Sequence, residues 1–382
     1  MSVFLGIGLG PIQTGIFLSG ACRGGFKRIV VAEVDQKLGD AVNKSGGKIS
    51  INIAGASKVY QEEISGIEVY SPITEDGRKA LVAAAAEADE LATALPSVKF
   101  FSQVAPWLRE GFLRDPKRQR LIYAAENHNH AAELLHEALG TGLDSIHCLN
   151  TVVGKMSGVV PAADCASQKL ALLCPGADRG HLVEEFNRIL ISTAPGAEMR
   201  KTLGLHVKPD LLPFEEAKLY GHNAIHFLLG MLAREAGLTF MNELSSQPSA
   251  ISFAHDAFVN ESGAALCKKW LGVDELFTTQ GFHAYAEDLL VRMLNPFLKD
   301  AVERVTRDLG RKLAWDDRVI GTMRVALSQG VEPKKLARGA ALSAAALWGK
   351  EEAAIRSGCQ SLWPTPWTSE HETLLRLMLE IR

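Results

Sequence analysis

The stretch Val3-Phe4-Leu5-Gly6-Ile7 runs directly into Gly8-Leu9-Gly10-Pro11-Ile12-Gln13-Thr14-Gly15, and a helical pattern follows over 13–21. An apolar strand emptying into closely spaced glycines and then a helix leaves few folds open. Glycines at that junction let the backbone approach a pyrophosphate, and the helix start offers unpaired N–H groups and partial positive charge. A second strand over 28–34 carries Glu33, 25 residues after Gly8. A carboxylate there accepts ribose hydroxyls and repels a 2′-phosphate, which predicts NAD rather than NADP. Gly8, Gly10, Gln13, Gly15 and Glu33 are therefore the candidate cofactor-binding residues of this segment. A glycine-rich turn beside a surface glutamate is the competing reading, because glycine spacing alone is a weak signal.

The rest of the first half keeps alternating. Helical patterns over 36–44, 80–90 and 129–139 are interleaved with short apolar runs over 91–95, 120–125 and 145–153. That order predicts βαβ units around a parallel sheet of the Rossmann type. The stretch 48–72 alternates as antiparallel strands do and is read as a β excursion. From about Pro209 the apolar residues recur at helical spacing, over 214–235, 289–307, 315–327 and 333–347. Turn-rich residues at 176–180 and 193–196 place the change near 194. The expected fold class is thus α/β over 1–193, a dinucleotide-binding domain, followed by a mostly α-helical domain over 194–382.

Composition narrows the partners. With 47% hydrophobic and 22% charged residues the chain is globular, and a net charge of −3 argues against generic binding to nucleic acid or anionic lipid. No run of 18 apolar residues predicts a membrane span, and no basic, apolar leader opens the chain. The six cysteines are scattered, without C-x-x-C, as in a reduced protein. The expectation is a cytoplasmic monomer or small homo-oligomer.

The most informative segment of the second half is Phe214-Glu215-Glu216-Ala217-Lys218-Leu219-Tyr220-Gly221-His222-Asn223-Ala224-Ile225-His226. At ~100° per residue, Lys218, His222, His226 and Asn223 share one arc of an otherwise apolar helix. Such an arc lines a site, or it is a solvated edge with one satisfied core histidine. His222 and His226 have H-x-x-x-H spacing, but no third ligand is evident, so no metal is expected.

The pattern K-x-x-x-x-N-x-x-H, at Lys218, Asn223 and His226, resembles the signature of the polyol-specific long-chain dehydrogenases. Within that family the surroundings are most similar to the mannitol-1-phosphate 5-dehydrogenase branch. The glycine segment 8–17, the acidic turn Ala32-Glu33-Val34-Asp35, Glu126-Asn127, Asn295-Pro296-Phe297-Leu298-Lys299-Asp300 and Arg311-Lys312-Leu313 extend the resemblance along almost the whole chain. It departs at Thr14, where the family usually has arginine, and at Gln13, where this branch has glycine. It departs again at Val153-Gly154-Lys155, which lacks the acid of the family's V-D-R motif.

The resemblance implies a metal-independent, NAD-dependent oxidation of a polyol or polyol phosphate, with Lys218 as general base and Asn223 and His226 donating hydrogen bonds to the reacting oxygen. It also implies that Glu126 and Asn127 lie beside the nicotinamide. Arg304, Arg307 and Arg311 follow i, i+3, i+7 spacing and are candidates for holding a sugar phosphate. A solvated basic face paired with Asp300, Glu303 and Asp308 is the simpler reading of the same residues. Two other functions remain: a 6-phosphogluconate-type β-hydroxyacid dehydrogenase, whose lysine–asparagine spacing is shorter, and a dinucleotide-binding protein that has lost catalysis.

Overall fold

The computed structural model describes residues 2–381, which form two compact units, one ending at Leu211 and one beginning at Leu212. The first holds twelve strands: β1 (Val3–Ile7), β2 (Arg28–Ala32), β3 (Ile49–Ala54), β4 (Val59–Ile64), β5 (Ile67–Tyr70), β6 (Glu90–Thr93), β7 (Arg120–Ala124), β8 (Ile146–Val152), β9 (Ser157–Pro161), β10 (Arg179–Glu184), β11 (Ile189–Ser192) and β12 (Leu205–Lys208). Eight of them make one sheet in the order β12-β11-β8-β7-β6-β1-β2-β5. The run from β8 to β5 is parallel, and β11 joins β8 antiparallel.

The strands read as continuous apolar runs because both faces of the sheet are covered. Phe4, Ile29, Val31, Leu121 and Tyr123 belong to one core, and Leu5, Val30, Ile122 and Ala124 to the other. The second core is closed by the helices Glu75–Glu87, Phe101–Phe112 and Ala131–Leu139. The strand order reverses at β1, which has β2 on one side and β6 on the other. In open α/β sheets that reversal opens a crevice at the carboxyl ends of the strands.

The β excursion is only partly as expected. β3 and β4 form an antiparallel hairpin in a separate four-stranded sheet, β4-β3-β10-β9, but β5 returns to the main sheet parallel to β2. The first unit also extends past the boundary expected at 193/194, because β12 adds to the sheet edge beside β11. The turns around 194 lie between two strands of one sheet.

The second unit is helical. The expected helix over 214–235 is present as Leu212–Glu216, a π-helical turn Ala217–Asn223 and Ala224–Glu235 in continuous succession. The helix expected over 289–307 is broken: Thr279–Met293 stops before Asn295-Pro296, and only Val302–Thr306 re-forms. No helix of the described residues is long and apolar enough to cross a membrane.

Candidate functional site

In the first unit the cofactor candidates collect at the carboxyl ends of the strands. Gly8 follows β1 with φ +88°, donates its N–H to Ala32 O at 2.9 Å, and would set a Cβ 3.0 Å from Ala94 O. A side chain is therefore excluded by conformation and by the neighbouring strand. A Cβ on Gly10 would meet nothing within 4 Å, so this face of the turn is open. A Cβ on Gly15 would stand 2.7 Å from Val183 Cγ1; its absence lets the first helix press onto β10. Glu33 closes the turn: Leu9 N donates to Oε2 at 2.7 Å and Asp35 N to Oε1 at 2.8 Å. A groove of ≈ 240 Å³, lined by Glu33, Gln36, Asn43, Tyr70 and Thr74 among others, lies beside it.

Glu126 follows β7 and is buried. Thr93 Oγ1 and Leu95 N both donate to it at 2.9 Å, so it ties the ends of β6 and β7 together. Burial raises its pKa above the ordinary carboxyl value, against the hydrogen bonds it accepts. Asn127, next along, is exposed. Gln13 is turned inward: it is fully buried and its carboxamide has no hydrogen-bond partner among the described residues. Its side chain thus packs against β1, where a Cβ on Gly6 would stand 2.1 Å from Nε2, which leaves the main chain of Gln13 for the expected cofactor contact. The neighbouring departure, Thr14, hydrogen-bonds His181 across 2.9 Å of buried space. Burial and the Arg179 charge push His181 down to about 4.

In the second unit the decisive local feature is the π-helical turn. On a regular helix Asn223 would stand about 140° around from Lys218. The i→i+5 turn instead brings residues five apart onto successive turns, so Lys218 and Asn223 come to one side. Several contacts support this wider turn. Ser262 Oγ donates to Tyr220 O at 2.7 Å, and a Cβ on Gly221 would sit 3.2 Å from the Phe258 ring. Glu216, just before the turn, accepts from Lys269 at 2.7 Å and from Trp270 Nε1 at 2.8 Å.

Lys218 is partly buried, and burial together with the Arg318 charge lowers its pKa to about 8, against an opposing pull from Glu215. Burial also drives the buried His222 well below the ordinary histidine value, with His226 and Arg292 adding to it. His222 is thus a neutral packing residue at pH 7. A lysine that loses its proton near pH 8 can accept one from an alcohol above that pH, and an amide and an imidazole can polarise an oxygen.

Sequence reasoning missed the partner of His226. Its Nε2 lies 2.9 Å from Asp300 Oδ2. Asp300 reaches it because His226 and Gly230 are one turn apart on one helix face, and Val305 packs against Gly230, where a Cβ would stand 2.6 Å from Val305 Cγ1. The backbone of Asp300 is fixed by Met241 N at 2.9 Å and by the Phe240–Ala301 bridge. Burial pushes the Asp300 carboxyl up, but His226 and Arg304 together hold it below the usual range. Asp300 was visible in the resembling stretch 295–300, but its opposition to His226 depends on a contact 74 residues away in sequence.

The basic group is corrected by the structure. Arg307 is extended and Asp308 has φ +57°, which separates Val302–Thr306 from Leu309–Lys312; Arg304, Arg307 and Arg311 therefore share no helical face. Each lies against an acid. Arg304 Nε donates to Asp300 at 2.8 Å, Arg311 pairs with Asp317 at 3.0 Å, and Arg307 lies 3.8 Å from Asp308. Lys312 is buried and donates to Val305 O and Arg307 O, closing the end of the short helix.

A Rossmann-type unit with a β excursion is thus joined in sequence to a helical unit that carries Lys218, Asn223 and His226 on one π-turned helix. Residues 210–360 match the family model of the mannitol dehydrogenase C-terminal domain. The chain is similar to the mannitol 2-dehydrogenase of Pseudomonas fluorescens, solved as a ternary complex with NAD and D-mannitol: TM-score 0.68, 14% identity, over 100% of this chain and 91% of that one. It is also similar to a D-sorbitol dehydrogenase in substrate-free form (TM-score 0.69, 14% identity, 92% and 80% covered). A weaker likeness, TM-score 0.51 at 14% identity, over 90% of this chain and 99% of that one, is to 2-dehydropantoate 2-reductase from Geobacter metallireducens GS-15. At these identities the likenesses establish the fold.

Proposed function

We propose that this chain is an NAD-dependent dehydrogenase that interconverts a polyol and its keto or aldehyde form, with Lys218 as the proton-transfer group. The observation that carries the reading is the amine itself: a lysine with a pKa of about 8, on a π-helical turn that also presents Asn223. Below that value the amine is charged and cannot take a proton; above it the lone pair is free. Asn223 and His226 stabilise charge as it develops on the substrate oxygen. Asp300 holds His226 and is a positioning residue. In the reverse direction the protonated Lys218 returns the proton.

The first unit fits a dinucleotide. Gly8 leaves a cradle that a Cβ would fill, the Gly10 side is open, and Glu33 stands at a groove large enough for a ribose. Gly8, Gly10 and Glu33 would hold the cofactor, and Glu126 would order the β6 and β7 ends beside it. When bound, NAD supplies the acceptor of the carbinol hydrogen. The acid partners of Arg304 and Arg311 favour an unphosphorylated polyol over a sugar phosphate.

An absorbance screen at the reduced-nicotinamide band tests this, run over sugar alcohols, hexuronates, their phosphates and β-hydroxyacids. Turnover of a polyol is expected. Turnover of hydroxyacids alone would overturn the reading, and turnover confined to phosphates would overturn its substrate preference. Glu33→Ala is expected to lower the NAD/NADP preference by about tenfold or more, since a charge-assisted hydrogen bond contributes ~1.5–3 kcal/mol. It should raise the KM for NAD as well, because Leu9 N and Asp35 N lose their acceptor. An unchanged NAD/NADP ratio of kcat/KM would remove Glu33 from the ribose role.

A further inference from the structure

Away from the residues assigned to the reaction, His255, His283 and Glu287 bring one ligand atom each to within 4.8 Å of one another. They come from two helices, Pro248–Asp256 and Thr279–Met293. His283 and Glu287 are one turn apart on the second helix, with Nδ1 and Oε1 separated by 3.6 Å. Ligands at ~2.0–2.1 Å around a tetrahedral ion stand about 3.4 Å apart, so this pair is close to the spacing an ion requires. The His255 ring meets the His283 ring edge-on at 5.3 Å between centroids, so the two imidazoles are in contact without stacking face to face.

The second helix is held by aromatic residues against the π-helical turn Ala257–Gly263 that continues the first, with Phe258 and Phe282 buried. Phe258 lies 5.6 Å from Phe282 and 5.9 Å from Tyr285, both edge-on. A Cβ on Gly263 would stand 2.5 Å from Phe282 Cδ1, so that seam is tightly closed. The histidines therefore project from packed helices with their ligand atoms already within 4.8 Å of one another, and sites built on such elements are held more firmly than sites on loops. Among the described residues it is the one cluster of three such ligands that converges this closely.

We propose that His255, His283 and Glu287 form a binding site for a divalent transition cation of the zinc class. Two imidazoles and one carboxylate suit zinc, cobalt or nickel, whereas magnesium and calcium prefer all-oxygen sets. The fourth position belongs to water, since the side chains of His283 and Glu287 are 46% and 63% exposed. Bound there, the ion bridges the two helices. The first of them leads directly into the π-helical turn Ala257–Gly263, which carries Ser262, the donor to Tyr220 O. The site is thus a brace behind the Lys218 turn, with no part in proton transfer.

The test uses the full chain, stripped with a chelator and titrated with Zn²⁺ by calorimetry in excess Mg²⁺, and separately with Co²⁺ by absorption. One equivalent of Zn²⁺ is expected, together with a Co²⁺ d–d spectrum lacking a thiolate charge-transfer band and a rise in melting temperature on Zn²⁺ addition. The pair His255→Ala with His283→Ala should lose that equivalent, and Glu287→Gln, at an exposed position that the fold does not need, should weaken it tenfold or more. Zinc uptake unchanged in these variants, a thiolate band in the Co²⁺ spectrum, or no uptake by the wild-type chain would each overturn the proposal.

Discussion

Lys218→Met is expected to abolish alcohol oxidation while making the fold more stable at pH 7. The two effects have one origin. A lysine that titrates at about 8 instead of 10.5 is a buried amine whose charged form the protein disfavours. A tenfold change in a protonation equilibrium is ~1.4 kcal/mol, so the full depression corresponds to about 3 kcal/mol, and partial exposure of the side chain reduces the gain to roughly 1–3 kcal/mol. Methionine fills similar volume without the charge. For catalysis, loss of a positioned base lowers the rate by ~10²–10⁴. The sign of the pH dependence has the same source. The folded pKa lies below the unfolded one, so the native chain binds fewer protons between about 8 and 10.5, and wild-type stability rises with pH across that window. The variant should show no such rise. Wild-type kcat/KM for oxidation should climb with pH toward a plateau above about 8. Melting curves at about pH 7 and pH 10, either side of the titration, decide the matter together with a pH–rate profile. A variant that loses stability along with activity would make Lys218 a structural residue.

The second large effect is expected at Asp300. Its carboxylate is buried, accepts from Arg304 and lies 2.9 Å from His226 Nε2. In Asp300→Asn one of these donors faces an N–H₂ group, which leaves a buried donor unpaired. A charge-assisted hydrogen bond of ~1.5–3 kcal/mol is lost. If that interaction also orients the His226 ring for the reaction, kcat should fall by about 10- to 150-fold with a smaller change in KM. The pH dependence separates this from a general loss of fold. Asp300 has a lowered folded pKa, so its contribution to stability is complete above the unfolded carboxyl value of ~3.9 and disappears as pH falls through the folded value. The variant should be less stable at pH 7 yet lose less on acidification. Parallel acid-denaturation curves for the two proteins would remove the pair from this role.

The β1 glycine turn, Glu33 at the end of its strand, and the helix around Lys218 are legible because each is a local pattern. Gly8 must be glycine whatever surrounds it, since its φ of +88° is costly for other residues. Gln13 escapes such a reading for the complementary reason. Its sequence position places it near the turn, and only the packing of the first helix turns its amide inward. The arginines at 304, 307 and 311 escape it because helical spacing assumes an unbroken helix, and the left-handed Asp308 interrupts it. The π-helical turn at 217–223 leaves one trace in the sequence: a lysine and an asparagine five residues apart, a spacing that an i→i+5 turn aligns more closely than a regular helix does.

The alternation of strands and helices, the glycine turn that β1 feeds, and the residue types available for proton transfer are all written in the order of the amino acids, because they depend on neighbours within a few positions. How far the Lys218 amine is desolvated, that Asp300 faces His226, and that β12 belongs to the first unit emerge only when the chain is packed. Desolvation and ion pairing are set by whatever lies against a group, and here those partners come from positions dozens of residues away, which no local pattern encodes.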